Sequence, residues 1–313
     1  MARRWVLPAY GGIDALRLEE FTPRQPDAGE VALRVTAVGL NPSDVKGLSG
    51  GWNADPSLLP LGVGQEAAGV ITALGAGAEI GSGPAAVGDR VVAFKIAGAL
   101  ASDVVVPARD VFALPEEVDD VTAAGLLHVG VVAAELLALS GARAGETLVV
   151  HGASGSVGAL VVQLARRDGI RVVGTGAEAS LAKITSFGAQ ATTYGAGLAG
   201  RVRALAPDRV DAAIDAAGTD EALDVSLELV ADPARIATLA PGPKARESGV
   251  GISAGAAPAS IAFRMPQRRR ILDLAAAREL VLPIARTFPL DEAPEALGLV
   301  ATGHPGGKVV LTG

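Results

Sequence analysis

Up to about residue 115 the apolar positions fall in short alternating runs broken by Gly and Pro: WVLPAY, LRLEEF, EVALRVTAV, AAGVITAL, GDRVVAF and SDVVVPA. Such runs at close spacing predict a compact, partly closed β domain. From about Asp119 the period changes, and helix and strand patterns alternate. A long apolar helix, about Val121 to Leu139, leads into TLVVHGASGSVG. RVVGT, the SLAKITSF helix, ATTY, the GRVRALA helix, VDAAID, the EALDVSLELV helix, RIATLA and VGISAG follow. Six strands separated by helices predict a doubly wound parallel sheet in an α/β protein. A helix from about Pro258 to Glu279, the strand VLPIARTF, the helix APEALGLV and a last strand KVVLTG do not extend that repeat. The expected division is therefore a β domain over 1–119, completed by 257–313, and a nucleotide domain over 120–256, with the active site in the cleft between them.

The segment Thr147 to Gly158 is the most informative stretch. Thr147 to Val150 are strand formers, and Gly152, Ala153, Ser154 and Gly155 let the backbone turn sharply and approach a phosphate closely. Gly158 permits tight packing of helix on strand. Val157, Leu160, Val161 and Leu164 recur at the spacing of a helix face buried on a sheet. The first N–H groups of that helix, from Ser156 and Val157 on, would face a dinucleotide pyrophosphate.

The chain of 313 residues is half hydrophobic, yet holds no uninterrupted run of the 18 or more apolar residues that a membrane span requires. The opening MARRWVLPAY has two arginines followed by proline and does not pattern as a signal peptide, so a cytoplasmic protein with no membrane partner is expected. There is no cysteine, which excludes disulfides and thiolate-held metals, and the only histidines are His128, His151 and His304. A net charge of −7, without a basic cluster interleaved with aromatics, argues against nucleic acid. The run Arg268 to Arg270 reads as a solvated helix face.

Several motifs converge: YGGIDAL, VGLNPSDVKGLSG, GQEAAGVITALGAG, VGDRVVAF, GETLVVHGASGSVG, VQLAR, FGA before ATTYG, and GHPGGKVVL. In this order and spacing the chain resembles the medium-chain dehydrogenase/reductase superfamily, and within it the zinc-independent, zeta-crystallin-like quinone oxidoreductases. The resemblance implies a GroES-like catalytic domain, a Rossmann cofactor domain and a homodimer. Zinc-dependent alcohol dehydrogenases of the superfamily hold their metal with Cys and a Gly-His-Glu motif. Here Pro42 lies near the cysteine site, the motif reads Gly64-Gln65-Glu66, and the four-cysteine lobe is missing. No metal is expected.

An acid at the end of the second Rossmann strand normally selects NAD. After Thr175 that position holds Gly176, which leaves room for a 2′-phosphate and favours NADPH. Ser180 stands where relatives often have a lysine, Lys183 lies one helical turn on, and Tyr194 matches a family tyrosine at the adenosine end. Glu178 is the alternative, favouring NADH. The resemblance further places Val132 where relatives carry a cofactor-contacting threonine, Ala217-Gly218 and Leu239-Ala240 beside the nicotinamide, and Gly307-Lys308, next to His304, near the cofactor.

Without a metal, hydrogen-bond donors must meet the oxygen on which charge develops as an unsaturated carbonyl accepts hydride. The resemblance points to Asn41, whose amide would donate to the carbonyl or else only form a turn with Pro42. Asp44 braces that loop or else transfers protons, and Lys46 either stabilises an enolate or supplies a proton, or is an ordinary surface lysine. Trp52 and Phe94 are candidates to wall a flat substrate, His128 either faces it or lies in the core, and His151 is structural. The expected function is NADPH-dependent reduction of quinones or α,β-unsaturated ketones and aldehydes. Two alternatives stand beside it. One is an enoyl reductase on a carrier- or CoA-linked substrate, with Arg264 to Arg270 as its basic patch. The other is a dinucleotide-binding protein without turnover, suggested by Val132 and Ser180.

Overall fold

Along the chain the order is β1 (Ala2–Leu7), β2 (Arg17–Phe21), β3 (Glu30–Leu40), α1 (Pro42–Leu48), β4 (Leu61–Gly62), β5 (Glu66–Leu74), β6 (Arg90–Phe94), β7 (Asp103–Pro107), β8 (Val111–Ala113) and α2 (Asp120–Ser140). There follow β9 (Thr147–His151), α3 (Ser156–Arg167), β10 (Arg171–Gly176), α4 (Leu181–Ser186), β11 (Gln190–Thr193), α5 (Leu198–Leu205), β12 (Ala212–Asp215), α6 (Asp220–Leu229), β13 (Ile236–Thr238), α7 (Pro243–Glu247) and β14 (Gly251–Ile252). The chain closes with α8 (Pro258–Ala276), β15 (Ile284–Pro289), α9 (Ala293–Ala301) and β16 (Lys308–Thr312). The structure is a computed structural model and describes residues 1–51, 54–303 and 305–313. Trp52 and His304 lie outside the described residues.

Two units form. The first comprises 1–128, 272–277 and 284–313, the second 129–271 and 278–283. The stretch 257–271, expected with the first unit, belongs to the second. In the first unit a sheet runs β15-β16-β3-β5-β6-β8, with β7 also on β3, and a smaller one runs β2-β1-β4. The strand β16 pairs antiparallel with β3 and parallel with β15, so the C-terminal segment is an interior strand of this sheet, returning to the β domain as its pattern suggested. Alternation along β3 sends Val31, Leu33 and Val35 inward, where Leu7, Ile71, Leu100 and Phe288 meet them. At Gly39 a side chain is impossible without movement: its Cβ would lie 2.2 Å from the Ala124 carbonyl oxygen of α2 and 2.8 Å from Glu66 Oε1.

The second unit is built on a six-stranded sheet, β11-β10-β9-β12-β13-β14, parallel throughout. Its central strands are apolar on both faces, as a sheet covered by helices requires. The helix α3 buries Leu160, Val161 and Leu164 as its spacing predicts, whereas Val157 in the first turn stands half exposed. The helix α2 is long and apolar enough to cross a membrane, but 78% of its most apolar window is buried, as in a core helix. The short elements α1, β4, β8 and α7 were not legible as periodic runs. Arg268, expected on a solvated face of α8, is buried, while Arg269 and Arg270 are exposed.

The tightest approach in the second unit is at Gly158, where a Cβ would come within 2.2 Å of the Gly152 carbonyl oxygen. Both partners are backbone, so neither yields cheaply. Gly158→Ala should lower the stability of this unit by about 3 kcal/mol, the upper range for overpacking. Native-state hydrogen exchange of the β9 and β10 amides measures it, and protection equal to that of the parent chain would show slack in the turn.

Candidate functional site

In the second unit β9 ends at His151 and the chain reverses through Gly152, whose φ of +70 favours glycine. The turn is pinned by Ala153 N–H donating to Thr175 O at 2.9 Å and Gly155 N–H donating to Gly152 O at 3.1 Å. Gly155 caps α3 with no side chain over its end. The first intrahelical bond runs from Ala159 N–H to Gly155 O, so the N–H groups of Ser156, Val157 and Gly158 precede it at the positive end of the helix dipole. This geometry suits a phosphate anion.

Around the end of β10 the structure gathers Ser154, Gly176, Ser180 and Tyr194. A Cβ on Gly176 would lie 3.5 Å from Ser154 Oγ and 3.6 Å from Ser180 Cβ, but 2.6 Å from Ile184 Cδ1. Glycine here therefore leaves no open space over its own Cα, because Ile184 fills it; what it provides is the absence of an acid. Tyr194 N–H donates to Gly176 O at 3.3 Å, and the tyrosine side chain is 54% exposed. Glu178 is exposed in a short turn, and partial burial lowers the pKa of Lys183. Thr175 is buried, its hydroxyl 3.3 Å from His151 Nδ1. Burial pushes the His151 imidazole down to about 4, and its Nε2 has no hydrogen-bond partner among the described residues.

Asp215, which the sequence reading passed over, organises the loops after β12 and β13 together with Thr238. Asp215 accepts from the N–H groups of Ala217 at 3.0 Å and Gly218 at 2.7 Å, and from Thr238 Oγ1 at 2.9 Å. Thr238 Oγ1 in turn accepts from Ala240 N–H at 3.0 Å, and Leu239 N–H donates to Asp215 O at 3.2 Å. Asp215 thus joins Ala217, Gly218 and Thr238 through its buried carboxylate and Leu239 through its backbone carbonyl, with Thr238 carrying the link on to Ala240, and burial raises the pKa of the carboxyl. An acid closing the apolar strand VDAAID was the available signal. Val132 is buried within α2.

In the first unit the candidates Asn41 and Asp44 belong to a buried network. Asn41 caps α1 with Pro42 behind it, and Asp44 at the third helical position accepts from Asn41 N–H at 2.8 Å, half of a capping box. Asn41 Nδ2 donates to Glu66 Oε1 at 3.0 Å, while its Oδ1 accepts from Lys308 Nζ at 2.7 Å. Lys308 also donates to Glu66 Oε1 at 2.5 Å, and Glu66 Oε2 accepts from His128 N–H at 3.1 Å. The Lys308 and Glu66 side chains are 2% and 0% exposed. Lys308, expected at the cofactor beside Gly307, is thus an internal counter-ion, and both polar atoms of the Asn41 amide are engaged within the unit. Nothing local announced this pairing, since 242 positions separate its partners.

Gln65, in the place of the superfamily's histidine, donates through Nε2 to Ser43 Oγ and Asp44 Oδ1, both at 3.0 Å. Burial pushes the Asp44 carboxyl up to about 6, against the donors from Gln65 and Asn41. Lys46 is exposed on α1. Phe94, a candidate substrate wall, is buried and meets His128 edge-on with ring centres 5.4 Å apart. Among the described residues no three His, Asp or Glu side chains are grouped to hold a metal ion. The candidate basic patch is reduced, because Arg264 is partly buried and paired with Glu135, Nη2 lying 2.6 Å from Oε2.

The alcohol dehydrogenase GroES-like domain family matches residues 27–116, and the zinc-binding dehydrogenase family matches residues 188–311. The synaptic vesicle membrane protein VAT-1 homolog of Mus musculus is 36% identical over 174 residues, covering 54% of this chain and 42% of that protein. A quinone oxidoreductase of Pseudomonas aeruginosa is 35% identical over 177 residues, 56% of this chain and 53% of that protein. The chain thus spans about half the length of the curated relatives it matches. A solved mycobacterial structure, complexed with NADPH, is similar over 99% of this chain and 100% of its own, with a TM-score of 0.84 and 27% identity.

Asp44 and His151 should pull stability in opposite directions on acidification. A carboxyl raised from 3.8 to about 6 binds its proton more tightly folded than unfolded, so the first unit loses stability as pH rises from about 4 through about 6. A histidine lowered from 6.5 to about 4 binds its proton more tightly unfolded, so the second unit loses stability as pH falls from 6.5 through about 4. Each effect amounts to about 3 kcal/mol at full extent. Asp44→Asn should flatten the pH dependence of urea unfolding read by tryptophan fluorescence, since both tryptophans lie in the first 128 residues. His151→Gln should do the same for amide exchange in β9.

Proposed function

The chain belongs to the medium-chain dehydrogenase/reductase superfamily, with its quinone oxidoreductases, and from that premise we propose that it is an NADPH-dependent reductase of quinones or α,β-unsaturated carbonyl compounds. The observation that carries the reading is the β9-turn-α3 junction: uncapped N–H groups at Ser156 and Val157, reached over a turn whose residues are Gly, Ala and Ser. A pyrophosphate fits there, because Gly158 and Gly152 bring the helix end onto the strand without side chains between them. The end of β10 offers no acid to a ribose hydroxyl; Ser154, Ser180 and Tyr194 lie beside it, and these, with Lys183 on α4, are the groups assigned to a 2′-phosphate.

Bound NADPH would supply the hydride from its nicotinamide C4. The protein's part is then placement and charge. Asp215 and Thr238 hold the backbone of Ala217–Gly218 and Leu239–Ala240 in fixed loops for the nicotinamide end. Asn41 and Asp44 act as braces of α1, since their polar atoms are already bonded within the unit. Lys46, exposed on that helix, is the group assigned to the acceptor oxygen, where negative charge develops. A homodimer belongs to this reading on the family resemblance alone, and a cytoplasmic location on the pattern of the opening residues.

The test is NADPH consumption against a panel of quinones and enones, with and without a strong chelator. Turnover should persist under chelation and favour NADPH over NADH by at least about tenfold, or about 1.4 kcal/mol. Lys46→Met should cost kcat/KM about tenfold or more. A preference for NADH would shift the ribose contact to Glu178. Turnover confined to CoA or acyl-carrier thioesters would replace the acceptor class, and tight NADPH binding with no turnover on any of them would refute the reductase.

A further inference from the structure

The loop after β11 reads Tyr194-Gly195-Ala196-Gly197 and has almost no side chain of its own to pack. Its glycines take left-handed φ values, +93 at Gly195 and +81 at Gly197, which turn successive carbonyls toward one side. That side is occupied by the guanidinium of Arg201 from α5. Its Nη1 donates to Ala196 O at 2.7 Å, and its Nη2 to Thr193 O at 2.9 Å, Gly195 O at 3.0 Å and Tyr194 O at 3.2 Å. Its Nε adds a second bond to Thr193 O at 3.3 Å. Four consecutive carbonyls therefore close on one cation, which has no carboxylate partner among the described residues. Gly195 N–H is held separately by Glu221 Oε2 at 3.2 Å.

The result is a loop whose one large side chain is left outward. Tyr194 is 54% exposed, its N–H is tied to Gly176 O, and its hydroxyl has no hydrogen bond among the described residues. Packing does not fix this ring, so its position depends on the backbone beneath it. A half-buried charge satisfied only by carbonyl dipoles is costly unless the geometry is held. Here it rigidifies a two-glycine loop that would otherwise be mobile.

We propose that Arg201 is a positioning residue for the adenosine end of the dinucleotide: by clamping carbonyls 193–196 it presents Tyr194 beside the end of β10, where a 2′-phosphorylated adenosine would lie. The proposal rests on the NADPH reading above and assigns Arg201 no contact with the cofactor. Its effect is therefore on affinity for the adenosine half, transmitted through Tyr194.

Four variants test it: Arg201→Ala, Arg201→Lys, Tyr194→Ala and the double Arg201→Ala with Tyr194→Ala, each titrated with 2′,5′-ADP and assayed with reduced nicotinamide mononucleotide, which lacks the adenosine half. Arg201→Ala should weaken 2′,5′-ADP at least about tenfold. Arg201→Lys, able to reach some of the carbonyls, should recover part of that loss. Tyr194→Ala should add little on top of Arg201→Ala, because the two act as one element. Mononucleotide turnover should fall far less than 2′,5′-ADP affinity. Parent-like 2′,5′-ADP affinity in Arg201→Ala would overturn the proposal, as would an equal fall in both readouts, the mark of a general structural role. If Arg201→Ala does not fold, Arg201→Lys against Tyr194→Ala decides by the same comparison. Absence of 2′,5′-ADP and NADPH binding in the parent chain is a different result, which removes the cofactor reading itself.

Discussion

The first unit depends on one buried charge pair. Glu66 and Lys308 are withdrawn almost completely from water, and the carboxylate survives there only because every lone pair that matters is used. Oε1 takes the ammonium and the Asn41 amide, and Oε2 takes the His128 backbone. Strand β5, the cap of α1, the body of α2 and the last strand of the chain therefore meet at a single side chain. Removing one partner of such a pair costs about 3–5 kcal/mol, because the other charge remains buried. The same crowding dictates Gly39, whose missing Cβ makes room for Glu66 Oε1 and the Ala124 carbonyl.

The second unit solves its corresponding problem with backbone. The close approach of Gly158 to Gly152 brings α3 onto β9, and Asp215 ties two loops by accepting main-chain and hydroxyl hydrogens. In the loop after β11 the cation Arg201 is met by carbonyl dipoles and, among the described residues, by no carboxylate, unlike Arg264 and Arg235 of the same unit, which pair with Glu135 and Glu146. The contrast follows from burial. Lys308 is 2% exposed and needs a full countercharge, whereas Arg201 is half-buried, keeps part of its hydration and needs only aligned acceptors.

These long-range arrangements mark the limit of what the sequence reveals. Strand-turn-helix order at Thr147 to Gly158, the six parallel strands and the return of KVVLTG to the β domain are carried by local periodicity and turn chemistry, which neighbouring residues decide. The cap at Asn41 was half legible: the NPSD order fits a helix start, but a seven-residue helix gives no periodic signal. The resemblance placed Lys308 near the cofactor, and its burial against Glu66 was out of reach of any local pattern because the carboxylate lies 242 positions away. Arg268 was read as solvated, and Arg264 as part of a basic patch, because an arginine's burial is decided by partners on other elements.

A consequence concerns where selectivity can reside. The candidate cofactor contacts are mostly small: Ala153, Ser154, Gly155, Ser156, Ala217, Gly218 and Ala240. Residues of this kind set the shape of a backbone cradle and accept either dinucleotide. Discrimination between them must then fall on the few side chains with reach near the end of β10, namely Glu178, Lys183 and Tyr194. Glu178 is exposed, Lys183 is partly desolvated, and Tyr194 is carried on a clamped loop. Gly176 contributes the absence of an acid and no contact of its own, its Cβ position lying 2.6 Å from Ile184 Cδ1. On the proposed reading, cofactor choice in this chain is thus set by loop placement beside the strand more than by the strand's terminal residue.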